Sequence, residues 1–172
     1  MTRTRWFFVA LAAMTPATAH AQGVRVKLPA WTEPVLLDSM RQEQAIAGTP
    51  EAVYSATLHA FADLGIPIGN TDNAKGIIGS EKFDRLHSFA GAPMSRSFSC
   101  GESATGPNAD SYRLSIAIVV WVSPSKDGGT TLGLAAAASG ADISGVYRNP
   151  RECASTGWIE GKIIAGVQKY VK

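Results

Sequence analysis

The stretch IPIGNTDNAKGIIGSEKF, residues 66–83, decides how the chain folds. Asn, Asp and Gly fill its middle, a lysine stands beside a glycine, and isoleucines flank it. A loop that cradles an anion needs a strand, then glycines, then a helix whose first amides face the ligand. The GxxxxGK[ST] spacing is missing, and the residues after Gly76 alternate as a strand does. Ile66 and Ile68 alternate with Pro67 and Gly69, and Asn70–Gly76 supplies turn formers. Ile77, Gly79, Glu81 and Phe83 then share one face, with Ile78, Ser80 and Lys82 on the other. The stretch reads as a hairpin.

Immediately upstream, Thr49-Pro50-Glu51 offers a capping hydroxyl, a proline for the first helical position and an acid in the first turn. Val53, Ala56, Ala60, Phe61 and Leu64 follow at helical spacing, and Gly65 stands where a left-handed residue ends a helix. Val35–Ile46 reads as a strand leading into this helix. Downstream, Asp84–Ala109 is irregular, with a short strand leading to Cys100. Tyr112–Val122 is the strongest strand signal, with Tyr112, Leu114, Ile116, Ile118, Val120 and Val122 on one face. A turn over 124–129 returns the chain through Thr130–Ala138. The alanines of that strand would let a helix lie close. Ala141–Pro150 is a loop, and Trp158–Val171 is a final helix striped by Ile159, Ile163, Val167 and Tyr170.

The N-terminus reads as an export signal. Arg3 and Arg5 precede the apolar run WFFVALAAM, and Ala19-His20-Ala21 forms a small-residue cleavage site over residues 1–21. The apolar run is far shorter than the ~20 residues a membrane-spanning helix needs. Gln22 stands where a lipoprotein would carry cysteine, so no lipid anchor and no transmembrane segment are expected. Removing 21 of 172 residues leaves 151, and loss of the two arginines brings 16 Lys+Arg to 14 against 14 Asp+Glu. With no run of like charge, nucleic-acid binding is not expected. In a periplasmic or extracellular setting, Cys100 and Cys153 read as a disulfide. It closes a loop of roughly fifty residues, which the chain-entropy estimate values at up to ~4 kcal/mol. A redox pair of free thiols, normally spaced C-x-x-C, is the weaker alternative.

These elements give one α+β domain over 35–172, preceded by a loose lead-in over 22–34. The expected architecture is an antiparallel sheet of about five or six strands with two helices on one face, ordered β-α-β-β-(β)-β-β-α. That order, with TPEAVYSATLHAFADLGIPI running into GIIGSEKF, resembles the helix-grip domains of the outer-membrane assembly lipoprotein BamC. It is also similar to a broader group of uncharacterised exported bacterial proteins, which the cysteine pair in SFSCG and RECASTGWIEG and the absent anchor fit better. The motifs are packing and turn motifs, and no functional residue carries over from them.

Chemistry-bearing residues are sparse. His59 lies in the first helix off its apolar stripe. His87 stands beside Ser88 and near Asp84, without the G-x-S-x-G elbow that would support a nucleophile triad. Asp142, Glu152 and Glu160 would act as a carboxylate pair only if folding brought two together. No metal spacing, cofactor motif or catalytic set emerges. The outer sheet face bearing Arg113, Val119 and Trp121 is the candidate contact surface, with the Asp84–Ala109 region as a second. The expectation is a non-enzymatic exported interaction module that binds an envelope protein. The alternative is a binder of a small apolar ligand or lipid held between the sheet and the C-terminal helix, beside Ala135–Ala138, Gly161 and Gly166. A hydrolase ranks third.

Overall fold

The computed structural model describes residues 23–145 and 149–171; the signal read over 1–21 lies outside the described residues. The fold is α+β, built on one seven-stranded antiparallel sheet. In chain order the elements are β1 (Gln42–Ile46), α1 (Pro50–Asp63), β2 (Asn70–Asp72), β3 (Ile77–Leu86), β4 (Phe98–Ser99), β5 (Tyr112–Pro124), β6 (Thr130–Asp142), β7 (Arg151–Ser155) and α2 (Trp158–Tyr170). The sheet runs β2-β3-β5-β6-β7-β4, and β1 lies beside β7 along the same side of β6. β5 and β6 pair over their full length, from Tyr112 opposite Asp142 to Pro124 opposite Thr130.

The helix α1 forms as its caps require. Thr49 Oγ1 accepts from the Ala52 N–H at 3.3 Å, and Pro50 occupies the first turn. At the other end Ile66 N–H donates to Phe61 O at 2.8 Å and Gly65 N–H to Ala62 O at 3.1 Å. These two bonds and the left-handed Gly65 form a Schellman motif. They also correct one expectation. Ile66 does not start a strand, because its N–H closes the helix and its side chain is buried against the core. The strand starts at Asn70, and the hairpin turn narrows to residues 73–76.

The hairpin itself stands as read, but its face assignment does not. The β3–β5 register shifts between Ile116, opposite Phe83, and Ile118, opposite Ser80. This bulge inserts one extra residue and reverses the alternation beyond it. Ile78 and Phe83, read on opposite faces, therefore join the same core. Two further readings change: Arg151–Ser155, placed in no element beyond the helix entry at Ser155, forms a strand, and the expected strand over 35–46 breaks. Only Gln42–Ile46 of that stretch joins the sheet, while Val35–Leu36 pairs with Arg25–Val26.

Both long helices pack on one sheet face, where Val53, Ala56, Phe61, Ile159, Ile163 and Val167 meet Ile116, Ile118, Leu132, Leu134, Ala136 and Ala138. Each fully buried Leu, Ile, Val or Phe contributes about 1.5–3 kcal/mol of transfer free energy. A Cβ on Gly166 would sit 2.8 Å from Ala60 Cβ, so this glycine lets α1 and α2 touch. Gly161 faces open space. Beside the last turn of α2, Gln168 and Val171 line an open pocket of about 310 Å³ together with Ala45–Gly48.

The opposite face carries a second core. Val26, Leu28 and Leu37 are buried there with Ala117, Val119, Trp121, Ala135 and Ala137. The stretch 23–34 is thus no loose lead-in. It is a strap across the sheet, fixed further by Val24 N–H to Asp38 Oδ2 at 2.6 Å and Ala30 N–H to Ser139 Oγ at 2.9 Å.

Candidate functional site

Of the proposed contact surface, Arg113 is exposed, while Val119 and Trp121 are only 1% and 6% exposed. This corrects the expectation of an open outer face. Trp121 lies on the face predicted by alternation, but the chain's own strap covers it. Arg41 adds a cation above the ring, 5.3 Å from its centroid.

The second expected surface, Asp84–Ala109, becomes a built structure. The disulfide expected between Cys100 and Cys153 is present and buried, with Cα atoms 4.3 Å apart. It rests on Gly140, where an added Cβ would lie 3.1 Å and 3.3 Å from the two sulfurs. Asp110 clasps the same region from the other side: its carboxylate accepts from Ser95 N–H at 2.7 Å and Ser95 Oγ at 2.8 Å. Ser88–Phe89 and Ala92–Pro93 close a two-residue hairpin whose turn residues Ala90 and Gly91 both have positive φ.

Between this region and the end of the long hairpin lies an open cleft of about 360 Å³. Tyr112 and Asp142, paired opposite each other at the start of β5 and the end of β6, line it. His87, just past β3, Asn108 and Ser111 of the helical turn Asn108–Ser111, and Ser103 and Thr105 line it as well. Ile143 marks the rim at 52% exposure. His87 holds φ +65°, a left-handed conformation uncommon outside glycine, and its carbonyl accepts from Met94 N–H at 3.0 Å. His87 Nδ1 lies 2.8 Å from Asp110 O. A carbonyl only accepts, so the neutral ring carries its proton on Nδ1 and presents Nε2 as an acceptor.

The other candidates do not converge. Asp84 Oδ1 accepts from Ser115 Oγ at 2.7 Å and His87 is turned to Asp110, so no Ser/His/Asp relay assembles. Asp142 is engaged by Ser144 at 2.7 Å, and Glu152 is exposed. Glu160 is 4% exposed in the first turn of α2, where the helix favours an acid, and accepts from Ser155 Oγ at 2.6 Å. Its other oxygen has no hydrogen-bond partner among the described residues. His59 is exposed on α1, its ring 5.2 Å from that of Tyr170. Beside it, Tyr170 Oη and Lys169 Nζ donate to Asp63 Oδ2 at 2.7 Å and 3.1 Å. The Tyr170 bond first, then Lys169, holds the Asp63 carboxyl below its ordinary range, and bonds to Tyr170 and Asp63 raise Lys169. Bonds from the Lys75 backbone and side chain likewise lower Asp72 at the hairpin turn.

No group of three or more His, Cys, Asp or Glu among the described residues is placed to hold a metal ion. No helix among them is long and apolar enough to cross a membrane. Ser103, Thr105, Asn108 and Ser111 were not singled out from sequence; the signal for them was the density of Ser, Thr and Asn between Cys100 and Tyr112. Comparison with protein-family models, with curated proteins and with solved structures returned no match for this chain.

Proposed function

We propose that the protein is a non-enzymatic interaction module of the bacterial cell envelope, and that a protein partner engages the cleft at the ends of β3, β5 and β6. The buried disulfide is in keeping with a non-cytoplasmic compartment. The element order, which resembles BamC-type domains, supports an envelope setting for it. One observation carries the reading. The outer sheet face is closed by the strap, whereas the 84–111 region is braced by a disulfide and the Asp110 clasp around an open cleft. Such bracing lowers the ordering cost of binding, which is how a preorganised surface gains affinity. The alternative, a small apolar ligand beside α2, would use the pocket of about 310 Å³ between Ala45–Gly48 and Gln168 and Val171, which no disulfide braces.

Site-specific photo-crosslinking in cells tests this reading. A benzophenone side chain at Ile143 should trap one discrete partner, and Thr105→Trp, which fills the cleft, should abolish the adduct. The same probe at Met40, exposed on the strap side, should give none. Adducts from Met40 alone, or an Ile143 adduct unaffected by Thr105→Trp, would remove the cleft from the function.

A further inference from the structure

We infer that the start of α2, where two cations share the ring of Trp158, is a docking surface for an acidic segment of a protein partner. It shares no residue with the cleft lining and does not depend on it. Arg96 ends the turn Met94–Arg96, and its guanidinium lies 5.9 Å from the Trp158 ring centroid. Lys162 Nζ lies 5.2 Å from the same centroid. Hydrogen bonds fix this meeting: Thr156 N–H donates to Ser97 O at 3.0 Å and Thr156 Oγ1 to Arg96 O, which ties the turn to the entry of α2. Trp158 is half-buried against the core, so its ring is anchored. Arg96 and Lys162 are exposed, and among the described residues neither side chain has a carboxylate or any hydrogen-bond acceptor. Two like charges are thus held at one ring with no counter-charge from the chain, and an acid is their electrostatic complement.

The rest of the surface fits the same partner. Trp158, Gly161 and Lys162 follow at i, i+3 and i+4, on one side of α2. Glycine weakens a helix interior, and a Cβ on Gly161 would meet nothing within 4 Å, so no packing within the chain requires it. An extended segment crossing the helix there gains close approach of its backbone. Carboxylates at alternate residues of such a segment, about 7 Å apart, suit two cations held at one ring. Tryptophan and arginine are also the residues that anchor protein contacts. Glu160, the acid of α2, is buried and accepts from Ser155 Oγ, and the exposed positions Gly161, Lys162, Ala165, Gln168 and Lys169 add no carboxylate. A lipid surface would need large apolar side chains around the cations. Among the described residues the exposed ones are Leu36, Met40, Ile68 and Ile143, none of them on α2.

An NMR titration of the mature protein tests this surface. The probes are end-blocked Glu-Gly-Glu-Gly-Glu, its Gln counterpart, inorganic phosphate, and vesicles of phosphatidylglycerol in phosphatidylcholine. The Glu peptide should shift the Trp158 indole and the amides of residues 96–97 and 157–163, saturating in the millimolar range. The Gln peptide should bind about fivefold more weakly, the factor that two exposed ion pairs supply. Adding about 0.5 M NaCl should erase that difference. In the double variant Arg96→Gln, Lys162→Gln the two peptides should bind alike. Gly161→Leu keeps both cations and gives the helix a better former, so it should hold or raise Tm while weakening the Glu peptide by closing the approach. Equal binding of the two peptides to the parent, no shift localised at Trp158, or unchanged binding by Gly161→Leu overturns the inference. So does phosphate matching the Glu peptide, which would leave an anion trap only. Vesicle binding that the double variant abolishes overturns it too, by assigning the surface to lipid. None of these results bears on the Ile143 crosslink, so this surface and the cleft fail separately.

Discussion

Two glycines on either side of Ile66–Ile68 share a backbone conformation and differ in their surroundings, which makes them a matched pair. Gly65 has φ +66° and Gly76 has φ +65°. Alanine at either position carries a left-handed penalty of about 1 kcal/mol. At Gly65 the new Cβ meets nothing within 4 Å, so the cost ends there. At Gly76 it falls well inside 3.0 Å of Val122 O and 3.1 Å from Val122 C. Those atoms are main chain of β5 and cannot swing aside. The turn over 73–76 would have to lift instead, breaking the 2.8 Å bond from Val122 N–H to Gly76 O. That bond is worth about 1 kcal/mol, and the displaced turn loses packing against the end of β5 as well. Gly76→Ala should therefore cost about 3 kcal/mol or more, against about 1 kcal/mol for Gly65→Ala. For a domain of this length each kcal/mol moves Tm by about 2–4 °C. Thermal unfolding of the oxidised mature protein should show Gly65→Ala falling by about 2–4 °C and Gly76→Ala by about 6 °C or more. Equal losses would refute the claim that β5 backbone clamps this turn.

The glycines of α2 should respond in opposite directions: Gly161→Ala, facing open space, should stabilise by about 0.5–1 kcal/mol. Gly166→Ala, driven onto Ala60, should destabilise by about 1 kcal/mol or more in urea unfolding, despite the same propensity gain. Leu28→Ala, at a 0% exposed strap position, should cost about 3 kcal/mol and shift Trp121 emission to the red; an unchanged midpoint and spectrum would mean that the strap does not hold the outer face. Because the folded pKa of Asp63 is lowered from 3.8, its contribution is complete above 3.8 and is lost as pH falls through the lower folded value. The Tm advantage over Asp63→Asn should therefore be level near neutrality and close only at the acid end, whereas Lys169, raised from 10.5, gives its share up only at strongly alkaline pH.

Most of the fold was legible because its signals are local. The helix α1 is announced by its own cap, proline and terminal glycine, and the long hairpin by unbroken alternation from Tyr112 to Val122. The failures are those in which distant residues override a local pattern. Nothing between Ile77 and Leu86 marks the bulge, since an extra residue is defined only against its partner strand. Arg151–Ser155 becomes a strand because β6 and β4 offer it edges and the disulfide draws Cys153 in. The strap was the avoidable miss: Val24, Val26 and Leu28 alternate with Arg25 and Lys27, a pattern that already asks for one buried face.

The cleft was illegible for a different reason. Its lining comes from the ends of three strands and a tethered loop, so no spacing in the sequence brings His87, Thr105, Tyr112 and Asp142 together. Sequence did supply the part that makes the convergence possible, the cysteine pair on either side of the long hairpin. With Cys100 tied to the strand beside β6, residues 84–111 have little freedom to lie elsewhere than across the strand ends. The left-handed His87 and the Asp110 clasp then set which atoms look inward. The site's position thus follows from one crosslink, and that crosslink is written in residue types.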